Sequence, residues 1–213
     1  MSIIQTLNQF LSLFIKHAPE AFIFVSSMWF IHLLNKSMRG ILNLFGIIPR
    51  NPITLILGPI TSPFLHADFS HLSYNSLPLF VMTATLFTHS VAKGLAIIFT
   101  ISYIEGIFVW CFARRGNHIG ASGLIMGLFG YFLYLGYANP NAETVIVAII
   151  LFYYFGTLLL SIFPEDTLTS FEGHLAGLIA GLLIAHYGYP DFVLNISTPI
   201  ASFIQLISLQ LFG

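Results

Sequence analysis

Phe171-Glu172-Gly173-His174-Leu175-Ala176-Gly177-Leu178-Ile179-Ala180-Gly181-Leu182-Leu183-Ile184-Ala185-His186-Tyr187 is an apolar helix with glycine at every fourth position, 173, 177 and 181. Small residues four apart form a smooth stripe against which a second helix backbone can lie closely in lipid. A matching stripe, Gly123 and Gly127, follows Ser122 in another apolar stretch. Two such stripes predict a tightly packed pair of membrane helices, each carrying one reactive side chain at its start.

Composition supports the membrane setting. Of 213 residues, 57% are hydrophobic and 7% are charged. Soluble domains carry about 25% charged residues, so there is too little charge here to cover a water-facing surface. The reading is an all-α, polytopic membrane protein. The net charge of -1 and the absence of a basic run leave nucleic acid out as a partner. A single cysteine, Cys111, excludes an intrachain disulfide.

A spanning helix needs about 20 mostly apolar residues. Six spans are expected, over residues 21–34, 71–88, 93–112, 121–137, 144–162 and 171–187. The segment before them is too short to span. It lacks Lys and Arg in its first ten positions, so residues 1–18 read as an interfacial helix and not as a signal peptide. Residues 39–70 form a long connection rich in Gly, Pro and aliphatic residues, expected to pack on the bundle or dip into the interface. The apolar tail 191–213 is interrupted by Asn195, Thr198, Pro199 and serines. It is either a seventh span or an interfacial segment.

Alternating spans bring the starts of the second, fourth and sixth to one side. His71 and Asn75 start the second, Ser122 the fourth and His174 the sixth. Four polar side chains at one depth are costly in lipid and read as a site. A serine and a histidine acting together must come within about 2.6–3.2 Å, which facing glycine stripes allow. Gly120 and Gly123 beside Ser122 permit a sharp turn and bring N–H groups near a reacting carbonyl. His71 and Asn75, four apart, share a helical face and can both donate hydrogen bonds.

These residues resemble the rhomboid family of intramembrane serine proteases. The resemblance rests on His66-x4-His71-x3-Asn75, Gly120-Ala121-Ser122-Gly123 and Gly173-His174-x2-Gly177-x3-Gly181, in that order and on those spans. It implies a six-helix bundle of rhomboid type with residues 19–190 as the catalytic domain. Ser122 would be the nucleophile and His174 the general base, with no acidic third member. His71, Asn75 and the Ser122 amide would hold the oxyanion. His66, Gly120, Gly123, Gly173, Gly177 and Met126 would be structural around the site. No metal or cofactor is implied. The partners would be the lipid bilayer and single-span or otherwise membrane-anchored proteins, cut in or near their transmembrane segments. Substrate would enter by the connection after the first span and by the fifth span with the loop after it, a region that here includes Phe152-Tyr153-Tyr154-Phe155. Two positions depart from the family pattern. Met126 stands where an aromatic commonly packs on the histidine, and neither Arg39 nor Arg50 has the adjacent Trp often found in the first loop.

Ser122 alone could be a packing residue, and His71 and Asn75 could tie down the long connection. His66 and His71 are five apart, with no cysteine or carboxylate cluster to complete a metal site. Gly120-x-Ser122-x-Leu124 is not the nucleophile elbow of soluble hydrolases, which needs glycine at the last position. The alternatives to a protease are a silent relative that binds transmembrane segments, or a small transporter using the mid-span Glu105. His118 and Arg114-Arg115 read as a solvated loop or as headgroup contacts. Lys36, Arg39, Arg50, Arg114 and Arg115 lie on the side of the site, with Lys16 and Lys93 opposite. Counting positive charge puts the site in the cytoplasm. The resemblance puts it on the extracytoplasmic side of a plasma or inner membrane, and is followed.

Overall fold

A computed structural model of the chain describes residues 2–163 and 170–212. Among them the architecture is all-α: α1 (Ile3–Ser37), α2 (Thr54–Thr61), α3 (Phe69–Phe87), α4 (Val91–Phe112), α5 (Ser122–Ala138), α6 (Ala142–Phe155), α7 (Phe171–Tyr187) and α8 (Asp191–Phe212). Tight 3-10 turns occupy Ile41–Phe45, Ser62–Phe64 and Gly156–Ile162.

α4 is the hub, with α2, α5, α7 and α8 packed around it. The core lies where α3, α4 and α5 converge, on Leu72, Leu79, Ile98, Ile101, Leu124 and Phe129. The outer surface is apolar as well. Phe203, Leu206 and Leu209 on α8 and Ile56 and Leu57 on α2 are exposed. An apolar exterior of this kind is stable against lipid and not against water.

The boundary expected between residues 18 and 19 falls inside α1. A capping box at Ser2 and Gln5 starts this helix, and it runs through Pro19 without a break. A proline removes one backbone hydrogen bond. Here packing outweighs that loss: the Phe14 ring meets Phe80 of α3 edge-on at 6.4 Å, and Phe10 and Phe14 join the same core as Ala21 and Phe24. At 35 residues the helix is about 50 Å long, more than a hydrocarbon core requires.

The tail forms one helix, α8. Its hydroxyls turn back onto carbonyls one turn earlier, Ser197 to Val193 (2.8 Å) and Thr198 to Leu194 (2.9 Å), so they do not interrupt it. Among the described residues, α4 and α8 are the helices long and apolar enough to cross a membrane. The fifth apolar stretch, expected to be one helix over 144–162, is α only to Phe155 and tightens into a 3-10 turn from Gly156. Pro164-Glu165-Asp166, expected to close it, lies outside the described residues.

Candidate active site

α5 and α7 make the largest helix–helix contact of the molecule. A Cβ at Gly177 would collide with the Gly123 carbonyl oxygen, and one at Gly181 with that of Gly127. In the other direction, a Cβ at Gly123 would stand 3.1 Å from the Gly173 oxygen, and one at Gly127 would stand 3.0 Å from the Gly177 oxygen. The two backbones therefore touch along both stripes, as small residues permit in lipid. Ser122 and His174 adjoin this seam in sequence. Ser122 is half-buried and His174 is buried.

The helix starts differ in a useful way. Ala121, before α5, has no side-chain acceptor to cap the first amides. The first N–H groups of a helix find no partner within it, so they are donors suited to a negative oxygen. α7 is capped instead: Ser170 Oγ accepts from the Gly173 amide at 3.2 Å. His118 Nε2 donates to the Arg114 carbonyl at 3.0 Å, so in the neutral ring Nδ1 accepts from the Ser170 hydroxyl at 2.9 Å.

The start of α3 closes on this seam. Asp68 caps it by accepting from the His71 amide (2.8 Å). The His71 ring stands over Gly120, with Cε1 and Nε2 at 2.6 and 2.9 Å from where a Cβ would be. Gly120 has φ +123°, a backbone conformation that glycine tolerates, and its amide donates to the Ser62 carbonyl (2.9 Å). Asn75 Nδ2 donates to His66 Nε2 at 3.1 Å. An amide nitrogen carries two hydrogens, so the second remains for another acceptor. The His66 and His71 rings lie edge-on at 5.2 Å. Burial, reinforced by His71 and His32, pushes the imidazole of His66, in the turn before α3, down to about 4. It is thus neutral and able to accept from Asn75.

The first loop is anchored by a route that adjacency in sequence does not reveal. Arg50 spans to the end of α4, donating to the Cys111 carbonyl at 3.2 Å and the Ala113 carbonyl at 2.9 Å. The Trp110 indole donates to the Asn51 carbonyl at 2.7 Å. A Trp and an Arg do pin the loop, but from segments 60 residues apart in the chain. Ile47 and His118 exchange backbone bonds at 3.0 and 2.8 Å, and Pro59 of α2 sits on Gly106 of α4. The long connection therefore packs on the bundle. The segment of Arg114 and His118 is exposed at Arg114 and Arg115, as expected of a solvated loop, and is tethered with Arg114 Nε 3.3 Å from Glu172 Oε1.

Of the expected site residues, the structure gathers His66, His71, Asn75, Gly120, Gly123, Gly173 and Gly177 around the starts of α3, α5 and α7. Met126 is fully buried on α5. Phe152, Tyr153 and Tyr154 are exposed on α6 beside a wide groove against α5, lined by Leu133, Ala148, Ile149 and Leu160. Glu105 of α4 reaches the same cluster. The sequence left its role open because the groups it meets belong to other helices.

A helical bundle with an apolar exterior, whose polar side chains gather at one end of a glycine-packed helix pair, defines a class of membrane protein built around a buried polar site. The chain belongs to the rhomboid family: the model of the Rhomboid domain matches residues 56–191. It is therefore an integral membrane protein of a family that generally comprises intramembrane serine proteases. It is similar to uncharacterized proteins of Mycobacterium tuberculosis and Mycobacterium bovis, each 27% identical over 172 residues, covering 76% of this chain and 71% of the relative. One from Mycobacterium leprae is 28% identical over 172 residues, covering 76% of this chain and 68% of the relative.

Proposed function

We propose that this rhomboid-family chain is an active intramembrane serine endopeptidase working by a Ser122–His174 dyad. The observation that carries the reading is the glycine seam: α5 and α7 touch backbone to backbone at Gly123, Gly173 and Gly177, one to three residues from the two reactive side chains. In this reading α1, α3, α4, α5, α6 and α7 are the six core spans and α8 is a seventh. The site faces the extracytoplasmic side. α5, α6 and α7, at 17, 14 and 17 residues, are shorter than a full span. Short helices of this kind bring water nearer to the site.

His174 takes the serine proton as Ser122 Oγ attacks the scissile carbonyl. Charge on the carbonyl oxygen is met by the Ser122 amide, Asn75 Nδ2 and the His71 ring. His174 then protonates the leaving amine, and water, deprotonated by His174, releases the acyl group from Ser122. A transmembrane helix hides its carbonyls in hydrogen bonds, so the substrate must unwind locally before it can be cut. The exposed aromatics of α6 and the groove beside them suit the entry of such a segment.

The test uses purified chain in liposomes with a single-span substrate. Cleavage is expected for the wild type and is expected to be lost in Ser122→Ala and His174→Ala, with the fold kept. Undiminished cleavage by Ser122→Ala contradicts the reading.

A further inference from the structure

Glu105 is a buried carboxylic acid on α4, 7% exposed, that the dyad chemistry does not use. Its Oε1 occupies the space where a side chain on Gly123 would lie, with Cδ 2.8 Å from that position. The same oxygen is 3.7 Å from where a Gly173 Cβ would be. The carboxyl group thus fills a notch that exists because Gly123 lacks a side chain, and it lies in ordinary contact distance of Gly173 on the other side. Gly123 follows the proposed nucleophile, and Gly173 precedes the proposed base. α5 begins at Ser122 and α7 at Phe171, so the notch lies within the first turn of each helix. A carboxyl group at membrane depth is costly to keep, and an aliphatic side chain could fill bulk space without that cost.

We propose that Glu105 is a positioning residue for the Ser122–His174 pair. This rests on the dyad reading above. Seated between Gly123 and Gly173, the carboxyl group fixes how closely, and at what height, the first turns of α5 and α7 meet. It acts as a flat polar wedge from the third helix of the junction, and it carries no proton in the reaction. A side chain with the same shape and hydrogen-bonding edge serves equally well. One that empties the notch lets the two helix starts drift. A misplacement of about 1 Å costs roughly 100-fold in rate.

The experiment compares wild type, Glu105→Gln, Glu105→Ala, Gly123→Ala and the Glu105→Ala/Gly123→Ala double variant, all in liposomes. It reads kcat and KM on a single-span substrate, the rate of fluorophosphonate labelling at Ser122, and thermal unfolding. Glu105→Gln should stay within about twofold of wild type, because it keeps the geometry that sets the rate. Glu105→Ala should lose about 10- to 100-fold in kcat and in labelling, with KM unchanged and a cooperative unfolding transition retained. Gly123→Ala should also be impaired, because its methyl group meets the carboxyl. The double variant should be better than the product of the two single losses, because the severer contact, with the carboxyl, is gone and only the 3.1 Å approach to the Gly173 oxygen remains.

An Ala variant with wild-type kcat, or strictly multiplicative losses, overturns the wedge. So does a Gln variant as impaired as the Ala variant, since that assigns the carboxyl to proton chemistry. Should Glu105→Ala fail to fold, Glu105→Asp, which draws the carboxyl back out of the notch by one methylene, takes its place in the same comparison. A wild-type chain that neither cuts nor labels overturns the dyad reading and this one with it. A normal wild type beside an unimpaired Ala variant overturns this one alone.

Discussion

The two ends of the α5–α7 pair are built on different rules. From the start of both helices to their middles, glycines put backbone against backbone: Gly123 against Gly173 and Gly177, and Gly127 against Gly177 and Gly181. At the far end the contact is made by side chains, a hydrogen bond between the hydroxyl of half-buried Tyr134 and Nδ1 of exposed His186. A cavity of about 210 Å³ opens near that end, with Thr85, His89, Lys93, Tyr131, Glu143 and Tyr189 in its walls. A backbone contact has no rotamers to relax, whereas a contact between exposed side chains does. The lesson is that geometric precision is concentrated at the end that carries Ser122 and His174, and the opposite end tolerates change.

That contrast can be broken or sharpened by substitution. Removing the dyad is the largest expected effect: His174→Ala should lower kcat by at least about 10,000-fold, measured by substrate cleavage in liposomes. Next is Gly177→Val, which drives side-chain carbons into the Gly123 carbonyl. It should cost about 100-fold in activity and about 1–3 kcal/mol in stability. Asn75→Ala removes one proposed oxyanion donor and should lower kcat by about 100- to 1,000-fold with little change in KM. Tyr134→Phe, at the far end, should leave activity within about twofold and cost about 0.5 kcal/mol, the low end for a lost hydrogen bond. If Tyr134→Phe proves as damaging as Gly177→Val, the two ends do not differ as described.

His66 adds a pH test to the same comparison. Its neutral form is favoured in the fold, with the pKa lowered from 6.5 to about 4. The stability it contributes is complete above pH 6.5 and is lost as the pH falls toward 4. The loss amounts to at most about 3 kcal/mol. Thermal unfolding across that range should show it, and His66→Gln should flatten it.

The parts of the fold that repeat along a helix were legible in the sequence. The glycine stripes gave the α5–α7 pair, and the spacing of His71 and Asn75 put both on one face of α3. The family pattern extended this to His66, which the structure joins to Asn75. The parts that depend on contacts between distant segments were not legible. Arg50 and Trp110 anchor the first loop through backbone carbonyls, which leave no side-chain signature. The expected division between residues 18 and 19 falls inside α1, which the Phe14–Phe80 contact holds to the bundle ahead of it. The hydroxyls of α8 looked like interruptions because their bonds to carbonyls within the helix do not show in composition. Glu105 stood out as a charge in an apolar helix, but the notch it fills is made by the absence of a side chain at Gly123, on another helix.

The most direct test of the central claim is mass-spectrometric mapping of fluorophosphonate labelling in liposomes, wild type beside His174→Ala. The account predicts that wild type is labelled at Ser122 and that the histidine variant, still folded, is not. Labelling at another residue, labelling that does not depend on His174, or a wild type that does not react would contradict it.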